Sequence, residues 1–167
     1  MKVDFKTLPH NSRLWVYQSN RDLIENEIKI INDQLSTFID SWQAHGKDLK
    51  ASFEIKYNRF VVIAVDEISQ NATGCSIDDS VRILRKIENQ IGVDFFDRMS
   101  ILFKDGDLIK SASMKEFKEL LSEESCNSKT IVFDNTISTM GDYLNKWEIN
   151  VENSWHSRML PKKEMIG

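Results

Sequence analysis

Alternating apolar and polar side chains mark the strands in the first hundred residues of the chain. Residues 13–18 and 50–57 both alternate in this way, and the polar face of the second stretch is typical of a strand at the edge of a sheet. Residues 60–65 are continuously apolar, which predicts a central strand that is buried on both faces. Residues 99–103 predict a fourth strand, which ends at the turn signal Asp105-Gly106.

Apolar residues at helical spacing predict a long first helix after the first strand. They recur from Ile24 to Trp42. Ser19 and Asp22 have the spacing of a capping box before this stretch, and Gly46 provides a natural stop after it. The sequence therefore predicts one helix that fills most of the connection between the first two strands.

A second helix follows the central strand after a polar loop. A capping box at Ser76 and Asp79 predicts its start, and Gly92 predicts its end. The resulting order of elements is strand, helix, strand, strand, helix, strand. This order predicts an α+β fold in which residues 1–104 form a ferredoxin-like antiparallel sheet with both helices on one face.

Residues 105–167 are predicted to form a C-terminal α/β extension that packs on this core. Capping boxes at Ser113 and Glu116, and at Thr139 and Asp142, predict two short helices. Residues 147–151 predict a last strand. We expect the extension to pack on the open face or the edge of the sheet, because four of its aromatic side chains need burial: Phe133, Tyr143, Trp147 and Trp155.

Composition and charge restrict the classes of function. With 41% hydrophobic and 29% charged residues, the 167-residue chain has the composition of an ordinary folded protein. Its net charge of −4, with interleaved acids and bases, disfavours nucleic acid and anionic lipid as partners. The N-terminal segment is charged and no stretch resembles a membrane span, so we expect a cytoplasmic protein with Cys75 and Cys126 reduced. Glycine-rich phosphate-binding motifs are missing, and no cofactor is predicted.

The predicted topology brings two connections to the same end of the sheet. The connection after the first helix carries an imidazole, and the connection after the central strand carries two carboxylates and a thiol. These groups are therefore expected to converge. We predict a small binding or accessory protein that contacts a small molecule or another protein at the edge formed by Trp42, His45, Asp66, Glu67, Gly74, Cys75 and Ser76.

Cys75 supports a second hypothesis, in which the protein is an enzyme. A thiol at the start of a helix lies near free main-chain N–H groups and the positive end of the helix dipole, which favour the thiolate. With His45 as base and Glu67 or Asp66 as the orienting acid, these residues would suit a cysteine-dependent hydrolase or transferase. The structural alternative is a small Cys75 that fills space beneath the loop, with His45 near the carbonyl end of the first helix.

A metal site and a homodimer are further alternatives. Two imidazoles and a carboxylate, from His10, His45 and either Asp66 or Glu67, would suit zinc. No HExxH or CxxC spacing accompanies them, and no metal is predicted. A sheet with an open face would also allow two copies of the chain to pair as a homodimer.

Five segments of the chain together resemble an uncharacterised family of small bacterial proteins. They are WQAHG (42–46), RFVVIAVDE (59–67), GCSIDDSV (74–81), FFDR (95–98) and SWHSR (154–158). Members of that family are often labelled automatically as ABC-transporter ATPases. An ATPase of that kind needs a glycine-rich phosphate loop with a lysine, which this sequence lacks, so the resemblance implies no ATPase activity here.

Overall fold

The computed structural model describes residues 1–162, which contain four α-helices and nine β-strands. The predicted α+β class is confirmed, and the strands form three antiparallel sheets. The helices are α1 Glu25–Asp40, α2 Gly74–Ile91, α3 Met114–Ser122 and α4 Met140–Lys146. The strands are β1 Arg13–Gln18, β2 Gln43–Ala44, β3 Lys47–Asp48, β4 Lys50–Lys56, β5 Phe60–Asp66, β6 Ser100–Asp105, β7 Leu108–Ser113, β8 Ile131–Phe133 and β9 Glu148–Asn150.

The chain divides into two compact units. Unit 1 contains residues 1–97 and 137–143, and unit 2 contains residues 98–136 and, in the described part of the chain, residues 144–162. This division differs from the predicted one, 1–104 and 105–167. Strand β6 belongs to unit 2, and the segment 137–143 returns to unit 1 from the middle of the predicted extension.

Strand β5 lies at the centre of the three-stranded sheet of unit 1. The strand order is β1-β5-β4, and β5 pairs antiparallel with both neighbours, so its central position and the outer position of β4 are confirmed. The face of β5 that carries Ile63 belongs to one apolar cluster with α1 and α2. Phe60, Val62 and Ala64 on the opposite face are also fully buried. Burial on both faces explains why β5 shows no alternation in the sequence.

The predicted four-stranded ferredoxin-like sheet is not what the structure has. The segment that was predicted to form its fourth strand is β6, which pairs in unit 2 with β7 and β8. Beyond β1, the described part of the unit 1 sheet is extended by a single parallel bridge between Gln18 and Phe96 and by an antiparallel bridge between Arg13 and Thr139. Strand β7 follows β6 after a two-residue turn, so hairpin pairing with a neighbour in sequence replaces the predicted long-range pairing.

The segment 137–143 packs against β1 and its approach loop within unit 1. The carbonyl of Ser138 accepts a hydrogen bond from Leu14 N at 3.0 Å, and Gly141 N donates to His10 O at 2.8 Å. The hydroxyl of Tyr143 donates to Glu54 Oε2 at 2.5 Å. Tyr143 is thereby buried, as the need to cover its ring predicted.

Unit 2 is built on a four-stranded sheet with the order β7-β6-β8-β9. Phe117 and Leu121 of α3 are buried against this sheet. Trp147 and Phe133 are buried and lie with their ring centroids 4.8 Å apart. The prediction that Trp155 is buried was wrong, because 37% of it is exposed and its indole stacks on the ring of His156.

Both short helices begin at the predicted caps. Ser113 Oγ accepts from Glu116 N at 3.1 Å, and Thr139 Oγ1 accepts from Asp142 N at 3.2 Å. The predicted last strand is present as β9.

Helix α1 is shorter than predicted at both ends. It spans 16 residues, because the predicted capping residues have other partners. The Ser19 hydroxyl donates to Arg21 O, and Asp22 forms an ion pair with the buried Arg59. The helix instead begins after Ile24, whose main-chain N–H donates to Glu27 Oε1 at 3.1 Å. In the described residues, no helix has both the length and the apolar character required to cross a bilayer.

Candidate functional site

The two predicted connections meet at a buried hydrogen bond in unit 1. Trp42 follows α1, and its indole Nε1 donates to the main-chain oxygen of Ser76 in the first turn of α2, at 2.9 Å. Trp42 is 2% exposed and Ser76 is 1% exposed. A hydrogen bond in such a buried place holds its partners in a defined geometry, because breaking it leaves a polar group without water. The structure therefore brings Trp42 and Ser76 together.

The N-cap of helix α2 lies three residues before the predicted one. Thr73 is its N-cap, with Thr73 Oγ1 accepting from Ser76 N at 3.2 Å and Ser76 Oγ accepting from Thr73 N at 2.7 Å. The predicted capping box of Ser76 with Asp79 was wrong, since Asp79 pairs with Arg82. Two overlapping patterns, T-x-x-S and S-x-x-D, compete here, and the upstream one caps the helix.

This helix start places Cys75 and Gly74 in the first turn of α2. Both residues are exposed, and Cys75 is a free thiol. The second cysteine, Cys126, is also free but buried in unit 2, where burial raises its pKa. The chain therefore carries one accessible thiol and one inaccessible thiol among the residues that are described.

His45 lies at the tip of a small hairpin formed by β2 and β3. His45 has φ 53° and Gly46 has φ 75°, so both turn residues are in the left-handed region that a two-residue type I′ turn requires. Gly46 thus serves this turn and does not end α1, which was its predicted role. The side chains at the base of the hairpin are also joined, with Gln43 Nε2 donating to Asp48 Oδ1 at 3.0 Å. The His45 ring is exposed at the end of a short, well-connected hairpin.

The two carboxylates at the end of β5 bind the main chain of the loop that follows. Asp66 is 6% exposed, and its Oδ1 accepts from Ile68 N at 3.1 Å. Its Oδ2 lies 3.9 Å from Lys50 Nζ. Glu67 Oε2 accepts from Ala72 N at 2.8 Å, which closes the loop onto itself. These contacts give Asp66 and Glu67 a role in shaping the loop that positions α2.

The predicted catalytic contacts are not formed in the structure. Within residues 1–162, neither the His45 ring nor the Cys75 thiol has a hydrogen-bond partner. The orienting acid of the proposed triad, Glu67, is occupied by Ala72 N. His10, named in the metal alternative, is exposed. In the described part of the chain, no three His, Cys, Asp or Glu side chains are grouped so as to hold a metal ion.

A groove of about 430 Å³ lies beside Trp42, between the end of α1 and the middle of α2. Its apolar lining comes from Phe38, Trp42 and Ile83, and the rings of Phe38 and Trp42 are 5.3 Å apart between centroids. The remaining lining residues are polar or charged: Ser41, Gln43, Asp79, Arg82 and Lys86.

The charged rim of this groove carries more positive than negative charge. Arg82 and Lys86 lie one helical turn apart on α2, and Asp79 is the single acid in the lining. Asp79 pairs with Arg82 at 2.7 Å, whereas Lys86 has no ion-pair partner among the described residues. An apolar floor with a cationic rim suits a ligand that joins an apolar group to an anionic one.

Sequence reasoning missed the groove residues on the helices. It searched the loops, and of the groove lining it named Trp42 alone. The available signal was the i, i+4 spacing of Arg82 and Lys86 together with Ile83, which places cations beside an apolar residue on one side of α2. That spacing does not reveal that the end of α1 packs opposite.

Comparison with protein-family models, with curated proteins and with solved structures gives no match for this chain.

Proposed function

We propose that the protein is a small binding or accessory module, and that its ligand or partner contacts the edge of unit 1 where the β2–β3 hairpin meets the start of α2. The observation that carries this proposal is the buried bond from Trp42 to Ser76. It fixes the floor of the groove and links the element bearing His45 to the helix turn bearing Cys75. Rigid support of this kind lowers the entropic cost of binding.

The groove restricts the chemistry of the ligand in this proposal. Phe38, Trp42 and Ile83 would contact an apolar group, and Arg82 and Lys86 would attract an anionic one. The exposed His45 ring and Cys75 thiol add polar contacts at the same edge. Asp66 and Glu67 would act indirectly, by holding the loop that precedes α2.

A titration with two matched probes tests this proposal. 2-Naphthoate is an apolar anion, and 2-naphthamide is a neutral molecule of nearly the same shape. We expect the naphthoate to bind several-fold more tightly and to shift the NMR signal of the Trp42 indole N–H. The double variant Arg82→Gln/Lys86→Gln should lose this preference, whereas Lys115→Gln/Lys118→Gln, with the same change of charge on α3, should keep it. Equal binding of the two probes, or equal behaviour of the two variants, contradicts the proposal.

A second candidate function is a cysteine-dependent hydrolase or transferase that uses Cys75 with His45. The observation that favours it is the exposure of the Cys75 thiol in the first turn of an 18-residue helix. Because no hydrogen bond joins the His45 imidazole to the Cys75 thiol, this function needs a movement of the β2–β3 hairpin when substrate binds. Alkylation by iodoacetamide at pH 6 tests this second function. The variant Cys126→Ser is used, because Cys75 is then the one cysteine left in the chain. A catalytic thiol should be modified rapidly. A rate no faster than that of free cysteine excludes Cys75 as the nucleophile.

We also propose that the chain belongs to the uncharacterised bacterial family that it resembles. Two of the segments that carry the resemblance, 42–46 and 74–81, contain Trp42 and Ser76, which are joined by the buried bond. The ATPase label of that family is not part of the proposal, because the sequence has no phosphate loop.

A further inference from the structure

A second groove, of about 620 Å³, opens within unit 2 between the β6–β7 hairpin and α3. Its apolar lining includes Phe103, Ala112 and Cys126, which belong to the hydrophobic core of unit 2, and Leu120, which packs against that core. The volume falls within the range of about 300–1,000 Å³ that is usual for sites of small organic ligands. The groove is therefore large enough for a small molecule and offers it an apolar floor.

The basic side chains in the lining of this groove are already paired. Lys110 Nζ lies 2.5 Å from Asp105 Oδ2, and Lys104 forms an ion pair with Glu148. Neither lysine is left to balance further negative charge in the groove. The pairing leaves the acids on α3 to determine the electrostatic character of the opposite wall.

The α3 wall of the groove carries two carboxylates without partners. Glu119 and Glu123 line the groove one helical turn apart, and among the described residues neither carboxylate forms a hydrogen bond or an ion pair. Glu116, one turn earlier, is different because its Oε1 accepts from Ser113 N at 2.9 Å. The two free acids thus lie on the side of α3 that faces the groove.

The end of α3 adds to this negative potential. The helix ends at Ser122, with Glu123 as its C-cap and no basic residue in the last turn. The carbonyl end of a helix carries a partial negative charge, which a cation stabilises. Glu119, Glu123 and the helix end therefore favour positive charge at the same wall.

We propose that this groove binds a small organic cation, with its ammonium group between Glu119 and Glu123 and its apolar part on the floor formed by Phe103, Ala112, Leu120 and Cys126. A bare metal ion would leave that floor unused. A low-molecular-weight amine with a hydrocarbon or aromatic group fits both the charge and the volume of the site. This site lies entirely in unit 2 and does not depend on the function proposed for the edge of unit 1.

NMR titration of the full-length ¹⁵N-labelled protein with three matched probes tests the proposal. Phenethylamine is cationic, phenethyl alcohol is neutral and phenylacetate is anionic. We expect phenethylamine to shift the amide signals of Ser111, Leu120 and Cys126, and to bind about five-fold more tightly than the alcohol, which is the size of effect expected for partly exposed charges. Phenylacetate should bind most weakly. Equal affinities, or shifts confined to other residues, overturn the proposal.

Variants of the two carboxylates provide the second arm of the test. Glu119→Gln/Glu123→Gln should remove most of the preference for the amine and leave binding of the alcohol unchanged. Glu25→Gln/Asp107→Asn changes the net charge equally, outside the groove, and should keep the preference. If both double variants change the preference for phenethylamine equally, that preference reflects the net charge of the protein, and the proposed site is wrong. Tighter binding of a lysine-containing hexapeptide than of phenethylamine would assign the groove to a protein partner and also overturn the proposal.

Discussion

The indole of Trp42 donates a hydrogen bond to the main-chain oxygen of Ser76, 34 positions later in the chain. The bond joins the segment after α1 to the first turn of α2, and both residues are buried. Two strands and a hairpin separate the partners in sequence. The geometry of the candidate edge therefore depends on a contact that only the assembled unit 1 provides.

Removing the Trp42 N–H should destabilise the protein. We expect Trp42→Phe to lower the free energy of unfolding by about 1–3 kcal/mol, because the buried acceptor loses its partner and a small cavity forms. The shift of the urea midpoint measures this loss. Trp155→Phe is the control, and it should cost less than about 0.5 kcal/mol because that ring is partly exposed. A Trp42 variant as stable as the control would show that the bond does not support the site.

The observed start of α2 makes a separate prediction. Thr73→Ala should cost about 1 kcal/mol, since it removes the side-chain acceptor for Ser76 N. Asp79→Asn should cost no more than about 0.5 kcal/mol, because it weakens an exposed ion pair with Arg82. Chemical unfolding of the two variants measures both values. The reverse order of the two losses would place the cap at Ser76, as the sequence pattern first indicated.

The first turn of α1 contains an acid whose charge the fold stabilises. Arg21 donates hydrogen bonds to both oxygens of Glu27, at 2.8 and 2.6 Å, and together with the Ile24 N–H these lower the pKa of Glu27 to about 2. Because the pKa is lower in the folded state, this stabilisation is present above pH 4.5 and is lost as the pH falls toward 2. We expect Glu27→Gln to cost about 1–2 kcal/mol at pH 7, after allowance for the partly exposed Arg21.

Unfolding at several pH values checks the role of Glu27. The difference between Glu27→Gln and the natural sequence should shrink as the pH falls below 4.5. Glu25→Gln, two residues earlier in the same turn, should cost a few tenths of a kcal/mol. A loss from Glu27→Gln that stays constant down to pH 2 would rule out the ion pair as its cause.

Burial of His156 makes unit 2 sensitive to mild acid. The ring is 2% exposed, and burial lowers its pKa from 6.5 to about 4, an effect that the nearby Asp134 charge partly opposes. Between these values an unfolded chain binds a proton that the folded chain does not. The free energy of unfolding should therefore fall as the pH drops from about 6.5 to 4, by about 3 kcal/mol in total.

Two measurements test the His156 prediction. The ring proton signals of His156 should titrate near pH 4 in the folded protein. His156→Gln should show a flatter dependence of stability on pH between 6.5 and 4.5, and its difference from the natural sequence should stay constant above pH 7.5. A ring that titrates near 6.5 contradicts the prediction.

Local structure was predictable from the sequence to a large extent. The alternation at 13–18 and the apolar run after Arg59 identified β1 and β5, because the side-chain period of a strand is visible in any short segment. The caps at Ser113 and Thr139 were correct for a similar reason, since each bond spans three residues. Contacts between residues that are close in the chain can therefore be predicted from the sequence pattern.

Pairing between distant elements was not predictable in the same way. Residues 100–105 have the pattern of a strand, but the pattern does not identify the strand with which they pair. In the structure they pair with β7, which begins after a turn of two residues. Ser19 matched a helix cap, yet the ion pair of Asp22 with Arg59 keeps that turn outside α1. Such contacts depend on which residues the fold brings together.

The candidate site was predictable in part, for the same physical reason. The sequence identified Trp42 and Ser76 as neighbours, because two connections at one end of a sheet approach each other in many topologies. It could not show that Asp66 and Glu67 are committed to main-chain N–H groups of the following loop. Nor could it show the groove, whose walls come from two helices far apart in sequence.

Because residues 137–143 belong to unit 1, unit 1 can complete its fold only late in translation. On the ribosome, β1, β4 and β5 emerge early, but the segment that lies against β1 and supplies Tyr143 is synthesised only after β6, β7 and α3. A nascent chain that stops before Tyr143 leaves Glu54 without its phenol partner. Completion of the first unit during translation therefore waits for most of the second.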